Sequence, residues 1–345
     1  MIGHDSPRVS VVILNWNGVA HLPTCLDALV AQTLCEFEVV LVDNGSRDGS
    51  LELLRSDYPW VRVVALAANT GFATGNNRGF AKARGDYIVT LNNDTRVEPD
   101  WLDTLVKVAD ARPRAGMVAS RVCSFSDPDV IDSIGMGICR DGMSRGRFRN
   151  RLWSGLAMRE VEEILFPSAC AALYKRAMIA ETGFFDDDFF AYAEDVDLGL
   201  RGRLAGWEAV AATKAVVRHR YSQTCGSLSP FKLYLVERNH YWVGVKNLPL
   251  GTLLAVPFFT LVRYLEQARS VVASRGTGGE FLASGSRGAA IRAIGKGTID
   301  AIAGLPRMLR KRRQIMRGRQ ISDSEMGRLL ESYQLSFREL LDDPG

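Results

Sequence analysis

The chain of 345 residues lacks the features that mark most secreted and membrane-spanning proteins. Its six cysteines form no C-x-x-C pair, and nothing at the N-terminus resembles a signal peptide. We therefore expect free thiols and a reduced, cytoplasmic setting.

One apolar run, residues 248–262, is too short for a membrane span. It falls below the ~20 residues that a spanning helix needs, and Pro249 and Pro257 interrupt it. We expect docking on a membrane surface, where the basic segment that follows would meet anionic head groups or the diphosphate of a lipid carrier. The alternative is a helical appendage packed on the catalytic domain or on a second subunit, with the basic residues solvated. The basic segment contains Arg307, Arg310, Lys311, Arg312, Arg313, Arg317 and Arg319.

Two nucleotide-binding signatures are also missing. A dinucleotide-binding dehydrogenase needs G-x-G-x-x-G after its first strand, and a nucleotidyltransferase that makes nucleotide sugars needs a Gly-rich, Arg-containing loop there. The sequence at that place is NWNGVAHLP, which fits neither class. We expect no nucleic-acid partner.

The composition present is that of a globular protein. Hydrophobic residues make up 47% of the chain and charged residues 24%, which excludes disorder for its bulk. Continuous apolar runs alternate with stretches of helical spacing, which predicts βαβ units and a mainly parallel, doubly wound α/β sheet. The predicted strands are residues 9–14, 37–42, 61–66 and 87–91, the predicted helices include 21–32 and 76–83, and 209–217 is a further strand.

Polar residues follow three of these strands. Because ligands in such sheets bind beyond the carboxyl ends of the strands, we expect these side chains to face one crevice. Turns alone would account for Asn44-Gly45 and Asp48-Gly49. The residues at the strand ends are Asn15 and Asn17, then Asp43, then Asn92, Asn93 and Asp94.

A cluster of carboxylates raises a separate question. Glu194, Asp195 and Asp197 lie within four residues of one another, behind the aromatic stretch 184–192. A helix N-terminus favours acidic residues, and an (i, i+4) ion pair with Arg201 explains Asp197 without chemistry. Burying carboxylates beside aromatic side chains is otherwise unfavourable unless a cation or a hydrogen-bond donor stabilises them, or a reaction requires them.

Five motifs in order resemble the GT-A-fold inverting glycosyltransferases of family 2, and most closely their rhamnosyltransferase-like branch. The resemblance covers residues 9–227. The motifs are VSVVILNWNG, LVDNGSRDGS, NTGFATGNNRG, GDYIVTLNNDTRVEPDWL and FFAYAEDVDLGLRGRLAGW.

The resemblance implies a donor site for a nucleoside diphosphate sugar. Asp43 would contact the base or ribose, and Arg218 or Arg220 would serve the diphosphate. The stretch NTGFATGNNRG also reads as a capped helix start with glycines for close packing. The donor-binding candidates are Asn15, Asn17, Asp43, Asn69, Gly71, Gly75, Asn76, Asn92, Asn93 and Arg218.

The resemblance also implies a divalent cation, Mg²⁺ or Mn²⁺. Most relatives hold it with a D-x-D motif, but this chain has Asn92, Asn93 and Asp94, so a single carboxylate remains. Asp94 is the expected ligand and His219 the second, with the rest supplied by substrate diphosphate and water. The alternatives are that Asp94 initiates the turn before Val97 and that His219 is a hydrogen-bonded surface residue.

Asp195 is the implied base that takes the proton from an attacking hydroxyl, with Glu194 orienting the acceptor or tuning its neighbour. The aromatics before them would line the acceptor site, although Phe184 and Phe185 also suit a core. The Q-x-x-R-W motif of processive synthases is absent, which favours transfer of a single sugar.

We therefore expect a metal-dependent enzyme with a catalytic domain over residues 1–228 and a mostly helical region over 229–345. Its donor would be dTDP-rhamnose and its acceptor a glycan or a polyprenyl-diphosphate-linked sugar in bacterial cell-surface polysaccharide or cell-wall assembly. Alternatives are a UDP-hexose donor or a catalytically silent nucleotide-sugar-binding scaffold. Further expectations are peripheral attachment to the inner face of the cell membrane and assembly into an oligomer.

Overall fold

The computed structural model describes residues 6–220, 229–272 and 287–341. Contacts divide this chain into two compact units. In the described part, the first unit comprises residues 6–136, 146–203 and 207–220, and the second comprises 137–145, 204–206, 229–272 and 287–341. The predicted boundary after residue 228 falls at a residue outside the described ranges.

A ten-stranded sheet forms the centre of the first unit, in the order β10-β12-β6-β11-β4-β1-β2-β3, with β5 paired to β12 and β7 to β6. Strands β8 and β9 pair separately. The strands are β1 Val9–Asn15, β2 Phe37–Asp43, β3 Arg62–Ala65, β4 Tyr87–Asn92, β5 Thr95–Val97, β6 Ala115–Ser124, β7 Ile131–Ile134, β8 Met136–Ile138, β9 Ser144–Gly146, β10 Val161–Glu163, β11 Ala171–Lys175 and β12 Glu208–His219.

The expected α/β class is confirmed. Strands β4, β1, β2 and β3 are parallel neighbours, as the alternating pattern predicts, whereas β11 runs antiparallel to both β4 and β6. The helices of this unit are α1 Leu22–Val30, α2 Ser50–Asp57, α3 Gly71–Phe80, α4 Trp101–Ala111, α5 Arg176–Thr182 and α6 Glu194–Leu204.

Strand β1 shows why the parallel part forms. Its β-branched residues Val9, Val11, Val12 and Ile13 are fully buried because helices cover both faces of the sheet. Helix α3 begins at Gly71 rather than at the predicted Asn76. A Cβ on Gly75 would lie 2.3 Å from Leu14 Cδ1, so the absent side chain lets this helix approach β1 closely.

The second unit is helical, as expected. Its helices are α7 Pro230–Asn247, α8 Leu250–Val272, α9 Arg287–Ala303, α10 Leu305–Arg317, α11 Asp323–Ser332 and α12 Phe337–Leu341. In the described ranges, no helix has both the length and the apolar content for a membrane crossing.

A charged side chain lies in the interior of the second unit. Arg263 of α8 is 2% exposed and bonds Asp141 at 2.5 Å and Glu237 at 3.1 Å. Glu237 also accepts a hydrogen bond from the Tyr264 hydroxyl. Two carboxylates thus surround one guanidinium, which offsets its cost of burial.

Five cysteines fall within the described residues, and all five are free thiols, as expected. Burial raises the pKa of Cys25 to about 12, so this thiol is unreactive. Cys225 lies outside the described residues.

Candidate active site

Three strand ends meet at one edge of the sheet. Asn15, at the end of β1, donates from Nδ2 to Asp43 Oδ1 at 3.1 Å. Asn93, just after β4, donates to Asn15 Oδ1 at 2.7 Å. Asp43 Oδ2 accepts the backbone N–H of Ser46 at 3.0 Å. The strand-end residues therefore form one hydrogen-bonded set, with Asp43 buried at its centre.

Side chains tie together the loops that follow β1 and β2. Asn17, which adopts φ of 51°, accepts from the Arg47 backbone N–H at 2.8 Å. Asp48 accepts from the Val19 N–H at 2.8 Å, and Asn44 accepts from the Thr70 N–H at 2.9 Å. Asn44 and Asp48 thus join separate loops in addition to turning the chain.

Four of the residues predicted to bind the nucleotide sugar lie at the start of α3. Asn69 Oδ1 accepts from the Gly71 N–H at 2.9 Å and from Asn44 Nδ2 at 3.0 Å. Asn76 is buried and donates to the Phe72 carbonyl of its own helix at 2.9 Å. Gly75 lies against Leu14. These contacts shape the loop and the helix, which is the packing interpretation of this motif.

Asp94 and His219 face each other on adjoining elements. Asp94 Oδ1 lies 3.4 Å from His219 Nε2, and both side chains are buried. On the other side of the ring, His219 Nδ1 lies 2.9 Å from Asp132 Oδ2. Asp132 Oδ1 in turn forms an ion pair with Arg149 Nη1 at 2.8 Å. The imidazole is therefore held between two carboxylates, and Asp132 fixes its orientation.

The surrounding residues shift the pKa values of both Asp94 and His219. Burial alone would raise the pKa of Asp94, but the contact with His219 outweighs it and lowers the pKa. Burial alone would lower the pKa of His219, but Cys170, Asp132 and Asp94 raise it well above its ordinary value. Positive charge at this place is therefore favoured.

The Asp94 and His219 pair fits a divalent cation. Asp94 Oδ1 is buried without a hydrogen-bond partner, and oxygen is the ligand such ions prefer. Two ligands about 2.1 Å from one ion at a right angle are roughly 3 Å apart, close to the observed separation. Among the residues that the structure describes, no three His, Cys, Asp or Glu side chains form a metal cluster, so protein ligands alone do not complete a site.

The segment before β11 connects this pair to the acidic cluster. The Ala169 N–H donates to Asp195 Oδ2 at 3.2 Å, and the Cys170 carbonyl accepts from the Asn92 N–H at 2.8 Å. The Cys170 thiol is also a neighbour of His219. Two consecutive residues thus connect the predicted base to the end of β4 and to the predicted metal ligands.

Glu194 and Asp195 open helix α6. Asp195 accepts from its two backbone donors, Ala169 at 3.2 Å and Val196 at 2.8 Å, whereas Glu194 Oε2 is buried without a hydrogen-bond partner. Burial raises the pKa of Asp195, and burial together with the neighbouring Asp195 charge raises that of Glu194 further. Of the two carboxyl groups, Asp195 is therefore the one that loses its proton more readily.

A strained loop delivers this pair. Phe190, Tyr192 and Ala193 have φ of 64°, 68° and 66°, a left-handed region that residues with a side chain seldom adopt. The Phe190 carbonyl accepts from the Ala73 N–H at 3.0 Å. The loop is therefore attached to the start of α3.

Asn77 and Asp187 attach the preceding segment to the same helix. Asn77 Nδ2 donates to the Phe185 carbonyl and to Asp187 Oδ1, both at 2.8 Å, and Thr74 donates to Asp187 at 2.9 Å. Sequence reasoning missed this role of Asn77.

The other residues of the acidic motif have structural partners. Asp197 bonds Arg201 at 2.9 Å, which confirms the predicted helical ion pair, and Arg201 also donates to the Phe184 carbonyl at 2.6 Å. Phe184 and Phe185 are buried, with ring centroids 4.2 Å apart. These two aromatics belong to the core.

Two arginines flank His219 along the chain. Arg218 bonds Glu98 at 3.0 Å, and the Arg220 guanidinium lies 3.7 Å from the Phe125 ring centroid. The Arg220 N–H also donates to the Asp94 carbonyl at 3.1 Å. This last bond joins the end of β12 to the residue that carries the Asp94 carboxylate.

Residues 10–183, half of the chain, match the sequence model described as Glycosyl transferase family 2. The chain belongs to this family. A relative from Mycobacterium tuberculosis, N-acetylglucosaminyl-diphospho-decaprenol L-rhamnosyltransferase, is 31% identical over 239 residues, which cover 63% of this chain and 77% of the relative. The expected resemblance to rhamnosyltransferases is thereby confirmed, and the protein is a glycosyltransferase.

Solved structures show the same fold at low sequence identity. A crystal structure of Staphylococcus aureus TarS 1-349 is 17% identical with a TM-score of 0.55, and the alignment covers 94% of this chain and 91% of that one. GalNAc-T7, solved with UDP, GalNAc and Mn²⁺, is 16% identical with a TM-score of 0.56 over 70% of this chain and 48% of that one. The GT-A fold expected for this family 2 glycosyltransferase is confirmed.

Gly71 in this glycosyltransferase is expected to resist substitution. Its φ is 86°, and a Cβ would lie 2.5 Å from the Phe190 carbonyl oxygen. Gly71→Ala should lower the free energy of unfolding by about 1–3 kcal/mol and displace the strained loop, as measured by urea unfolding.

Gly49 provides the matched control for Gly71. It has φ of 88°, but nothing lies within 4 Å of an added Cβ. Gly49→Ala therefore carries the backbone strain without the collision, and its loss should be the smaller. Equal losses in the two variants would show that contact with Phe190 contributes nothing.

Asp132 should control the titration of His219 in this family member. Its carboxylate lies 2.9 Å from the ring and raises the pKa of His219, so Asp132→Asn should lower that pKa. NMR titration of the imidazole resonances measures this directly, without substrate. Asp129→Asn, which removes a half-buried carboxylate bound to Ser154, should leave that pKa unchanged. If the pKa of His219 is the same in the Asp132→Asn variant as in the wild type, Asp132 does not control the titration of this histidine.

Proposed function

We propose that this protein transfers one sugar, with inversion of configuration, from a nucleoside diphosphate sugar to an acceptor hydroxyl. The observation that carries the proposal is the Asp195 carboxylate, which two backbone N–H groups hold beside the buried Glu194. Its raised pKa makes it a stronger base than an ordinary aspartate. It is connected through Ala169 and Cys170 to the pair formed by Asp94 and His219.

The strand-end set is proposed to hold the donor. Asp43 and Asn15 would bind the base or ribose, because each keeps acceptor capacity beyond its one or two internal bonds. Asn17 is exposed beside them, and Asn92 is half-buried at the end of β4. The remaining proposed donor residues, some of which act by shaping the loops, are Asn69, Gly71, Gly75, Asn76, Asn93 and Arg218.

Asp94 and His219 are proposed to hold Mg²⁺ or Mn²⁺. When bound, such an ion neutralises negative charge on a departing diphosphate. Asp94 supplies the carboxylate oxygen that lacks a hydrogen-bond partner, and Asp132 keeps His219 Nε2 directed toward it. GalNAc-T7, a neighbour in fold, was solved with Mn²⁺, which supports a divalent cation.

The proposed step is a single displacement. The acceptor oxygen forms a bond to the anomeric carbon from the face opposite the diphosphate, and its proton passes to Asp195. The bond between the anomeric carbon and the diphosphate oxygen breaks, and the diphosphate keeps the electron pair. Because the hydroxyl becomes acidic only as the new bond forms, a carboxylate suffices as base. Burial and the neighbouring Asp195 raise the pKa of Glu194, which disfavours a second negative charge beside the base.

We favour dTDP-rhamnose as donor and a polyprenyl-diphosphate-linked sugar as acceptor, with action at the cytoplasmic face of the cell membrane. Support comes from the M. tuberculosis relative, whose name specifies rhamnosyl transfer to N-acetylglucosaminyl-diphospho-decaprenol. The pathway would be assembly of cell-wall or cell-surface polysaccharide.

Nucleotide release by the purified protein tests this function. The donors are dTDP-rhamnose and common UDP- and GDP-sugars, each with and without a polyprenyl-diphosphate GlcNAc acceptor. Acceptor-dependent release is expected from dTDP-rhamnose, in the presence of Mg²⁺ or Mn²⁺ and not with EDTA. Product anomer analysis by NMR tests inversion.

Other outcomes would replace parts of the proposal. Turnover of a UDP-sugar alone would replace the donor, and full activity in EDTA would remove the cation. Nucleotide binding without release from any donor would favour a silent scaffold.

A further inference from the structure

Helix α8 presents an apolar face to solvent. Five large side chains follow one another at intervals of three or four residues, which places them on one side of the helix. We name this set the α8 apolar face. It comprises Leu250, Leu254, Phe258, Leu261 and Leu265, which are 56%, 74%, 63%, 56% and 52% exposed.

The polarity of α8 is inverted relative to an ordinary surface helix. Its interior side carries Arg263 and Thr260, which are 2% and 3% exposed, together with Val256. The bonds from Arg263 to Asp141 and Glu237 hold that side inward. Rotation that would bury the α8 apolar face would also separate these ion pairs, so the exposure is built into the unit.

No charged residue interrupts the exposed side over a long distance. Between Leu250 and Ala268, every exposed residue of α8 is uncharged, and the first exposed charge is Arg269. At 1.5 Å per residue, this stretch is about 27 Å long. Apolar side chains on one side of a helix, with no exposed charge among them, are the arrangement that enters the boundary between lipid head groups and acyl chains.

The two parts of the chain carry net charges of opposite sign. Residues 229–345 contain 18 Lys and Arg against 10 Asp and Glu, a net charge of +8, whereas residues 1–228 contain 25 against 29, a net charge of −4. In the same unit, helix α9 exposes Ile291 and Ile299 with Arg292 and Lys296 beside them. Apolar side chains flanked by cations suit an anionic lipid surface.

The dimensions of the α8 apolar face disfavour a second protein chain as its occupant. From Leu250 to Leu265 the face is about 23 Å long, so with a width of about 10 Å it offers roughly 230 Å². A stable interface buries about 800 Å² on each partner. A bilayer sets no such minimum, because each apolar side chain that enters it contributes separately.

We propose that helix α8 lies along an anionic bilayer with its apolar face in the acyl boundary and the cations of its unit at the head groups. Its purpose rests on the proposed function, since a polyprenyl-linked acceptor is available only at a membrane. The docking itself is measurable without sugar transfer.

Vesicle flotation of the full chain tests the docking. Wild-type protein should bind vesicles of phosphatidylcholine and phosphatidylglycerol in equal parts, and should bind pure phosphatidylcholine more weakly. The triple variant Leu254→Gln, Phe258→Gln, Leu261→Gln should lower the partition coefficient at least about tenfold. The control Val30→Gln with Leu152→Gln changes side chains of similar exposure in the first unit, 54% and 53%, and should leave binding unchanged.

Three results would overturn the proposal. They are wild-type protein that fails to float, a triple variant that floats as well as wild type, and a wild-type dimer in light scattering that the triple variant dissociates. Transfer to a short-chain, water-soluble acceptor separates this proposal from the proposed function. The triple variant should retain that transfer, and a chain that binds vesicles but transfers no sugar would leave the docking in place while removing the function.

Discussion

Asp195→Asn is expected to lower kcat by a factor of about 10²–10⁴, with little change in the KM for the donor. The amide cannot take the acceptor proton. Its single oxygen can accept from only one of the two N–H groups, because Ala169 donates to Oδ2 and Val196 to Oδ1, so we expect a modest loss of stability with the fold retained. Steady-state kinetics of nucleotide release with saturating acceptor measures the loss. Thermal unfolding of the variant checks its stability.

Glu194→Gln is the matched control for the base. Because burial and the neighbouring Asp195 raise the pKa of Glu194 well above its ordinary value, an amide of similar shape should retain most of the wild-type kcat. An equal loss in both variants would remove the separate assignment of the base to Asp195, and an active Asp195→Asn variant would place the base elsewhere.

The pH profile should distinguish the two carboxyl groups as well. Burial raises the pKa of Asp195, so wild-type kcat/KM should fall as pH decreases below that raised value. Residual activity of Asp195→Asn should lack this acidic limb, because no carboxylate remains at that position to protonate. A limb that persists unchanged would belong to another group.

The largest expected loss of stability follows from removing a charge inside the helical unit. Arg263→Ala leaves Asp141 and Glu237 buried without their guanidinium and should lower the free energy of unfolding by about 3–5 kcal/mol. Urea unfolding followed by circular dichroism measures the change. Arg269→Ala is the control, because that arginine is 74% exposed and its pair with Glu266 should contribute under about 1 kcal/mol.

A compensated variant tests the cause of that loss. Arg263→Met combined with Asp141→Asn and Glu237→Gln removes every charge of the group, and should recover much of the stability that Arg263→Ala loses. If the uncharged combination is no more stable than Arg263→Ala, lost packing rather than unpaired charge is responsible.

The sequence predicted the parts of the fold that have local signals. Strands β1 and β2 are continuous β-branched runs, and their polar ends, Asn15 and Asp43, meet as the geometry of parallel strands requires. The pair of Asp197 and Arg201 follows from their spacing of four residues. Each of these inferences needs only neighbours in the chain and a known repeat.

The middle of the chain offered no such signal. Strands β5, β8, β9 and β10 have three residues each, too few for any periodicity, and β11 pairs antiparallel to strands from distant parts of the chain. The same limit hid Asp132, which lies 87 positions from His219. Arg263 and Asp141 are 122 positions apart, so the sequence gives no sign that this arginine is buried.

In the candidate site, too, local features could be predicted from the sequence, whereas contacts between distant parts of the chain could not. The acidic cluster stands out locally, but the lower pKa of Asp195 relative to Glu194 depends in part on the N–H of Ala169, which belongs to a different strand connection. Likewise, the isolated histidine at the end of β12 gains its partners only when β5, β7 and β12 come together in the sheet.

The loop before α6 places stability and turnover in conflict. Left-handed backbone at a residue with a side chain costs about 1–2 kcal/mol, and the chain accepts this at Phe190, Tyr192 and Ala193. Glycine at these positions would relieve the strain. A search for heat-resistant variants would therefore select glycine here early, and would obtain a chain whose Asp195 follows a looser segment. Under the proposed function, selection for activity would retain Phe190, Tyr192 and Ala193, because their restricted backbone holds the Asp195 carboxylate in position.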